Sequence, residues 1–187
     1  MIPNVIDRIF DLFERFGSLY YGEDATQLQH ALQVAELARR NRCSDALIAA
    51  ALLHDIGQFM DDAGNAAETL GIDARHEISG AAFLSPWFPP EVTEPVKLHV
   101  AAKRYLCAID PAYLEGLSQA SAISLALQGG PMSPEEVRAF EAEPHYGDAV
   151  TLRRFDDMGK NPNWRVPDLS SYRPLLEKLL LAPVHNS

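Results

Sequence analysis

The chain has 187 residues, 47% of them hydrophobic and 22% charged, with a formal net charge of -10. That length and composition fit one folded domain over residues 1–187, burying roughly 70% of the surface its unfolded form exposes and carrying one active site. So acidic a chain is not expected to bind nucleic acid or a membrane surface in general, because both demand a basic footprint.

Apolar residues recur at three- and four-residue spacing nearly throughout, which predicts an all-α bundle. Residues 4–16 place Val5, Ile9, Leu12 and Phe16 on one face. "QLQHALQVAELARR" (27–40) does the same with Leu28, Leu32 and Ala35. "SDALIAAALLHDIG" offers Ser44 as N-cap and Gly57 as a stop, and its apolar girth marks a central helix. Residues 60–75 read as a loop, and a helix carrying His76 follows. "SPWFPPEVTEP" then breaks the chain, with Pro95 in the first turn of the next helix, "VKLHVAAKRYL". "QGGPMSPEE" is a loop leading into a helix capped by Ser133, with Pro134 at N1 and Glu136 at N3. "NPNWRVPDLSSYRP" is irregular before a last helix, "LLEKLLLAP". No apolar run approaches the ~20 residues of a membrane span, and "MIPNVIDRIFDLFERFG" has acids where a signal peptide has basic residues, so a cytoplasmic protein is expected. Cys43 and Cys107 read as small buried thiols.

Chemistry enters at "AALLHDIGQF", where His54 and Asp55 follow an apolar helix. Adjacent helical residues lie about 100° apart, yet near a helix end the two side chains can converge on one ion. Alone, such a doublet is more often a core histidine beside an exposed carboxylate. It is not alone. His30 shares a stripe with Val34 and Leu37, His99 interrupts "VKLHVAA", His76 precedes "ISGAAFL", and Asp156 lies in "LRRFDDMGK". Four imidazoles and two carboxylates exceed the three or four protein ligands of one zinc ion and suit two first-row metals joined by a carboxylate. The absence of thiolates favours iron or manganese, with zinc open.

Lys103 follows His99 by four and Arg153 precedes Asp156 by three, so each cation shares a helix face with a proposed ligand. Metals repel cations, and two cations turned toward them call for an anion between, with phosphate or phosphonate the simplest choice. Ser121 and Ser124, one turn apart, can donate to the same anion or bond within their own helix. Arg104, Arg154 and Lys160 are read as a solvated basic face.

The spacing of the six ligands resembles the HD-domain superfamily in its dinuclear form, a helical bundle around two metals. "YYGEDATQLQHAL", "AALLHDIGQF", "HVAAKRYL", "ALQGGPM" and "RRFDDMGK" together resemble the PhnZ-type HD-domain mixed-valent diiron oxygenases, from about Tyr20 to Lys160. That resemblance implies an enzyme that uses O2 and an Fe(II)/Fe(III) pair to cleave the carbon–phosphorus bond of a 1-hydroxyphosphonate, giving phosphate and a carboxylate. It makes His30, His54, Asp55, His76, His99 and Asp156 the iron ligands, with Asp55 bridging. Lys103, Ser121, Ser124 and Arg153 match phosphonate contacts, and Gln128 assists them. Tyr20 matches a tyrosine that covers one iron at rest, and Glu23 a glutamate that moves with it when substrate enters. Their bland readings are a core tyrosine and a capping acid.

Family substrates imply a 2-amino or 2-trimethylammonio arm, with glycine or glycine betaine as product and a hydroxylase supplying the 1-hydroxyphosphonate. A quaternary ammonium prefers aromatic faces and negative charge, so Tyr21 and Asp24, with Trp164 from the late loop, tilt the expectation toward the trimethylated substrate. Tyr21 reads equally as core and Asp24 as a cap. Three rivals stand beside this reading. They are an HD-type metal-dependent phosphohydrolase, in which a metal-bound hydroxide attacks phosphorus, a diiron oxygenase of a neutral polyol, and a metal-stabilised signalling module.

Overall fold

The computed structural model describes residues 4–20, 24–60 and 75–182. Helices and short 3-10 turns, with no strand among the described residues, make the all-α bundle that the spacing predicts. The first helix, α1 (Val5–Phe16), is capped by the Asn4 side chain and buries Val5, Ile6, Ile9 and Phe13, leaving Leu12 and Phe16 at the margin of that stripe. Helix α2 (Gln27–Arg40) starts at a reciprocal capping box between Thr26 and Gln29 and is buried on most of its circumference.

Helix α3 (Asp45–Leu53), capped by Ser44, is buried from Leu47 to Leu53 and forms the centre of the bundle. It ends at Leu53, not at Gly57. His54 is the C-cap, and a 3-10 turn, Ile56–Phe59, follows. Gly57 serves close approach instead. A Cβ there would fall 1.9 Å from the His76 carbonyl oxygen and 2.7 Å from the Gly80 nitrogen, so only glycine lets the turn lie against α4 (His76–Leu84).

The long helix α5 (Pro90–Ile109) starts five residues before Pro95. Pro90 takes the N1 place, where a missing N–H is no loss, while Pro95 sits buried in the interior at the expense of one bond in a 20-residue helix. Then come α6 (Pro111–Glu115), α7 (Gln119–Leu127) capped by Ser118, and α8 (Pro134–Glu141) with the Ser133–Glu136 capping box. Helix α9 (Tyr146–Met158), a 3-10 turn (Leu169–Tyr172) and α10 (Arg173–Lys178) complete the described chain.

Around α3 pack α2, α5 and α9, and α4 lies along α5. Ala49, Ala50 and Ala51 are fully buried, and their small side chains let these neighbours come close to the centre. A main apolar cluster runs from α1 to α10, while a smaller one joins Ala102, Tyr105 and Leu106 of α5 to Phe140 and Ala149. Cys107 is buried and Cys43 half-buried, both unpaired. Among the described residues no helix is long and apolar enough to cross a membrane.

Candidate metal centre

The six expected ligands come from four helices (α2, α4, α5 and α9) and from the C-cap and turn that follow α3, and the bundle brings them together. His30 and His54 face each other with their Nε2 atoms 3.2 Å apart, and His76 and His99 do the same at 3.2 Å. Asp55 stands between the pairs. Its Oδ2 lies 3.5 Å from His54 Nε2 and 3.8 Å from His30 Nε2, while its Oδ1 lies 3.2 Å from His76 Nε2 and 3.7 Å from His99 Nε2. Asp156 Oδ1 joins the first pair, 3.3 Å from His30 and 3.8 Å from His54. Two groups capable of holding an ion therefore share one carboxylate, His30–His54–Asp55 and Asp55–His76–His99.

The hydrogen bonds behind the rings decide what the cluster is for. His54 Nδ1 lies 2.9 Å from the Ala51 carbonyl, His99 Nδ1 2.6 Å from that of Val96, and His30 Nδ1 2.8 Å from that of Gly159. A nitrogen facing a carbonyl must carry the proton, so in each neutral ring Nε2 keeps its lone pair for the cluster. Facing lone pairs at 3.2 Å repel each other unless a cation sits among them, and a pair of divalent first-row ions fits this set of nitrogen and oxygen donors. The carboxylates make the cluster a place that favours positive charge, whether carried by a proton or by a metal ion. Burial opposes charge on His30 and His76, yet Asp156 and Asp55 respectively raise both above the ordinary histidine value. Burial, with His76 and His54 nearby, pushes His99 down to about 3. Burial alone would raise the carboxylates, but the His54 and His76 rings hold Asp55 well below the usual range. Arg153 and His30 do the same for Asp156.

A cavity of about 90 Å³ opens onto this cluster. Lys103, Ser121, Ser124, Gln128 and Arg153 all line it. Lys103 donates to Ser124 Oγ at 2.7 Å, and Arg153 approaches Ser121 Oγ at 3.4 Å and bonds Asp156 at 2.7 Å. Lys160, read from the sequence as solvated, also lines the cavity, its Nζ 3.4 Å from Ser121 Oγ, because the chain after Gly159 folds back over α2. Arg104 is likewise no part of a solvated face: it donates to the Gly130 carbonyl and to Glu136, both at 2.8 Å, and so holds the double-glycine turn after α7. Arg154 is exposed.

Tyr20 is 60% exposed and, like Asp24, stands outside the described lining. Tyr21 and Glu23 lie outside the described residues. Trp164 sits under the Arg40 guanidinium, 5.1 Å away, and does not line the cavity.

Two residues that hold Arg153 went unread. Asp157 pairs with the guanidinium directly, and Tyr113 accepts from Arg153 Nε at 3.0 Å while donating to Asp157. The acid doublet at 156–157, with Asp157 four residues after Arg153, was a legible signal. Tyr113 left none, being 40 residues away in the chain.

An all-α bundle whose central helix end carries a His-Asp doublet, completed by histidines and a late aspartate from neighbouring helices, is an HD-type metal-binding domain. The HD domain family model matches residues 28–142. The chain is 46% identical over 176 residues to the hydroxymethylphosphonate dioxygenase of Gimesia maris, covering 94% of this chain and 88% of that one. It is 40% identical over 178 residues to the glycine-betaine-forming [1-hydroxy-2-(trimethylamino)ethyl]phosphonate dioxygenase of Leisingera caerulea, covering 95% and 91%. It is also 34% identical to the uncharacterized protein L432 of Acanthamoeba polyphaga mimivirus over 189 residues, 100% of this chain and 86% of that one. The chain belongs to the HD-domain family and, within it, to the PhnZ-like oxygenases.

Proposed function

We propose that this protein uses O2 and two irons, cycling from a mixed-valent Fe(II)/Fe(III) state, to cleave the C–P bond of a small 1-hydroxyphosphonate. The observation that carries this is the facing of a His-Asp cluster by Lys103, Arg153 and Lys160 across a cavity of about 90 Å³. Such a site balances an anion held against metal, and the named activities of two relatives supply the anion's class. The overall reaction, R–CH(OH)–PO3²⁻ + O2 giving R–COO⁻, phosphate and a proton, balances without an external reductant.

When bound, the irons supply O2 activation and a Lewis-acid anchor for the substrate's oxygens. His30, His54, Asp55 and Asp156 would hold one, and His76, His99 and Asp55 the other. The second has fewer protein donors and hence more room for exogenous ligands. Lys103 and the Arg153 fork neutralise the phosphonate, Ser121 and Ser124 orient its oxygens, and Gln128 assists. Asp157 and Tyr113 hold the guanidinium in place. The resemblance would have Tyr20 cover one metal at rest and Glu23 move with it when substrate enters.

At the far end of the substrate, a 2-trimethylammonio or 2-amino arm would give glycine betaine or glycine, and the betaine-forming relative supports the first. A second reading, hydroxymethylphosphonate going to formate, has a specific observation in its favour. No phenylalanine, tyrosine or tryptophan ring lines the cavity among the described residues, so no aromatic cage for a quaternary ammonium is described there. A cytoplasmic setting and an upstream hydroxylase that makes the 1-hydroxyphosphonate complete the proposal. An assay of the iron-loaded protein on all three phosphonates, with and without O2, tests it. We expect phosphate together with one carboxylate product, and only with O2; phosphate released equally under anaerobic conditions would establish the hydrolase instead.

A further inference from the structure

Gln33 is fully buried on α2, three residues after His30 and therefore on the same face. Its amide nitrogen donates to the carbonyls of Asn161 at 2.6 Å and Trp164 at 3.1 Å, and its oxygen accepts from the Asn161 N–H at 3.0 Å. Every partner is a main-chain atom, so this one side chain fixes where the segment after α9 lies. The segment begins at Gly159, whose carbonyl takes the His30 Nδ1–H. A Cβ at Gly159 would come within 2.7 Å of Val34 Cγ2 and 3.2 Å of Val34 N, so the approach to α2 is as close as a backbone allows. Lys160 follows directly and lines the cavity.

We propose that Gln33 is a positioning residue that registers residues 159–164 against α2, and so sets two things at once: the tautomer of a metal ligand and the reach of a phosphonate-binding cation. The assignment rests on the metal centre and substrate class proposed above. In Gln33→Leu three main-chain groups lose their partner, and the segment moves toward water to satisfy them. In Gln33→Glu a carboxylate faces two carbonyl oxygens, with the same result and little change of shape.

The test measures iron affinity on the apo-protein together with kcat and KM for whichever of the three phosphonates the parent turns over. In both variants iron affinity falls ~10-fold or more, the range for loss of a group that orients a metal-bound histidine. KM rises about tenfold, as expected for one weakened charge-assisted hydrogen bond. Gln33→Asn, whose amide is one methylene short, carries the same expectation if Gln33→Leu does not fold. Folded variants with parental iron affinity and parental KM overturn the proposal. Asn161→Ala is the control, since its side chain only accepts from Asn163 N–H, at 2.9 Å, and leaves Gln33's main-chain partners in place. Equal losses there would trace the effect to a loosened segment and overturn the assignment to Gln33. If the parent itself binds no iron, the metal reading fails instead. The affinity for inorganic phosphate, unchanged or weakened about tenfold in Gln33→Leu, then decides about Gln33 alone.

Discussion

The two walls of the cavity are built by different means. On the metal side, ligands stand on helices buried in the main core, and three histidines are locked through Nδ1 to carbonyls of the main chain. On the phosphonate side, α7 carries Ser121 and Ser124 but buries only Ser121 and Leu125, and it meets the cations through side-chain bonds to Lys103, Arg153 and Lys160. The first wall is preorganised by backbone. The second is held by bonds of the kind that an incoming phosphonate replaces one for one.

Breaking the first wall has the largest expected effect. Asp55→Asn removes the one anion whose two oxygens serve both metal groups and puts an N–H where one lone pair must be. We expect iron to be lost from both positions and turnover abolished, read by metal analysis and phosphate release. Its counterpart, Ser124→Ala, removes the acceptor of the Lys103 ammonium and a hydroxyl that donates to the Ser121 carbonyl, but no group of the His-Asp cluster. Full iron content with KM raised by a few-fold is expected, on the order of one hydrogen bond of ~1 kcal/mol. Iron retained in Asp55→Asn, or lost in Ser124→Ala, would erase the distinction between the walls.

That distinction also explains how much was legible. His54, Asp55, His76 and His99 could be read because imidazoles and carboxylates on otherwise apolar helices are costly to bury and therefore conspicuous. Lys103 and Arg153 followed from register with them. Gln33 and Tyr113 were invisible. Both are ordinary in a helix, and their work depends on partners 128 and 40 residues away, brought close only by the fold. Lys160 lines the cavity for the same kind of reason, since its direction is set by the turn after Gly159 and not by a helix face. For the fold, the caps at Ser44 and Ser133 are local hydrogen-bonding devices and could be read directly. The C-terminal end of α3 and the start of α5 could not, because Gly57 answers to α4 and Pro95 to its burial.

Arg153 is where the walls meet. Its guanidinium bonds Asp156 on the metal side, pairs with Asp157 and reaches Ser121 on the other. Burial opposes its charge, but Asp156 and Asp157 hold it cationic far above any working pH. Arg153→Lys keeps the charge and loses the planar fork, leaving at least one buried carboxylate short of a donor. A fall of about 100-fold in kcat/KM is expected, at ~1.4 kcal/mol per tenfold, with weaker iron binding as well. Asp157→Asn, which only loosens the guanidinium, should raise KM about tenfold at unchanged iron content. The same iron loss in Asp157→Asn as in Arg153→Lys would mean that the guanidinium serves the metal alone.

A last expected effect is one of pH. Lys103 is buried, and burial together with the Arg153 charge pushes its ammonium down to about 8. Below that value the cation is present to meet the phosphonate. As pH rises through it the charge is lost, so KM should climb by up to about tenfold per unit while Arg153 remains charged. Enzyme already carrying the dianion has an anion against Lys103 that restores its affinity for the proton, so the same limb in kcat should lie at higher pH. Lys103→Arg, which does not titrate in this range, should flatten the KM profile between pH 7 and 9.5. A limb that survives the substitution would assign the titration to another group and leave the Lys103 ammonium without a role in the pH response.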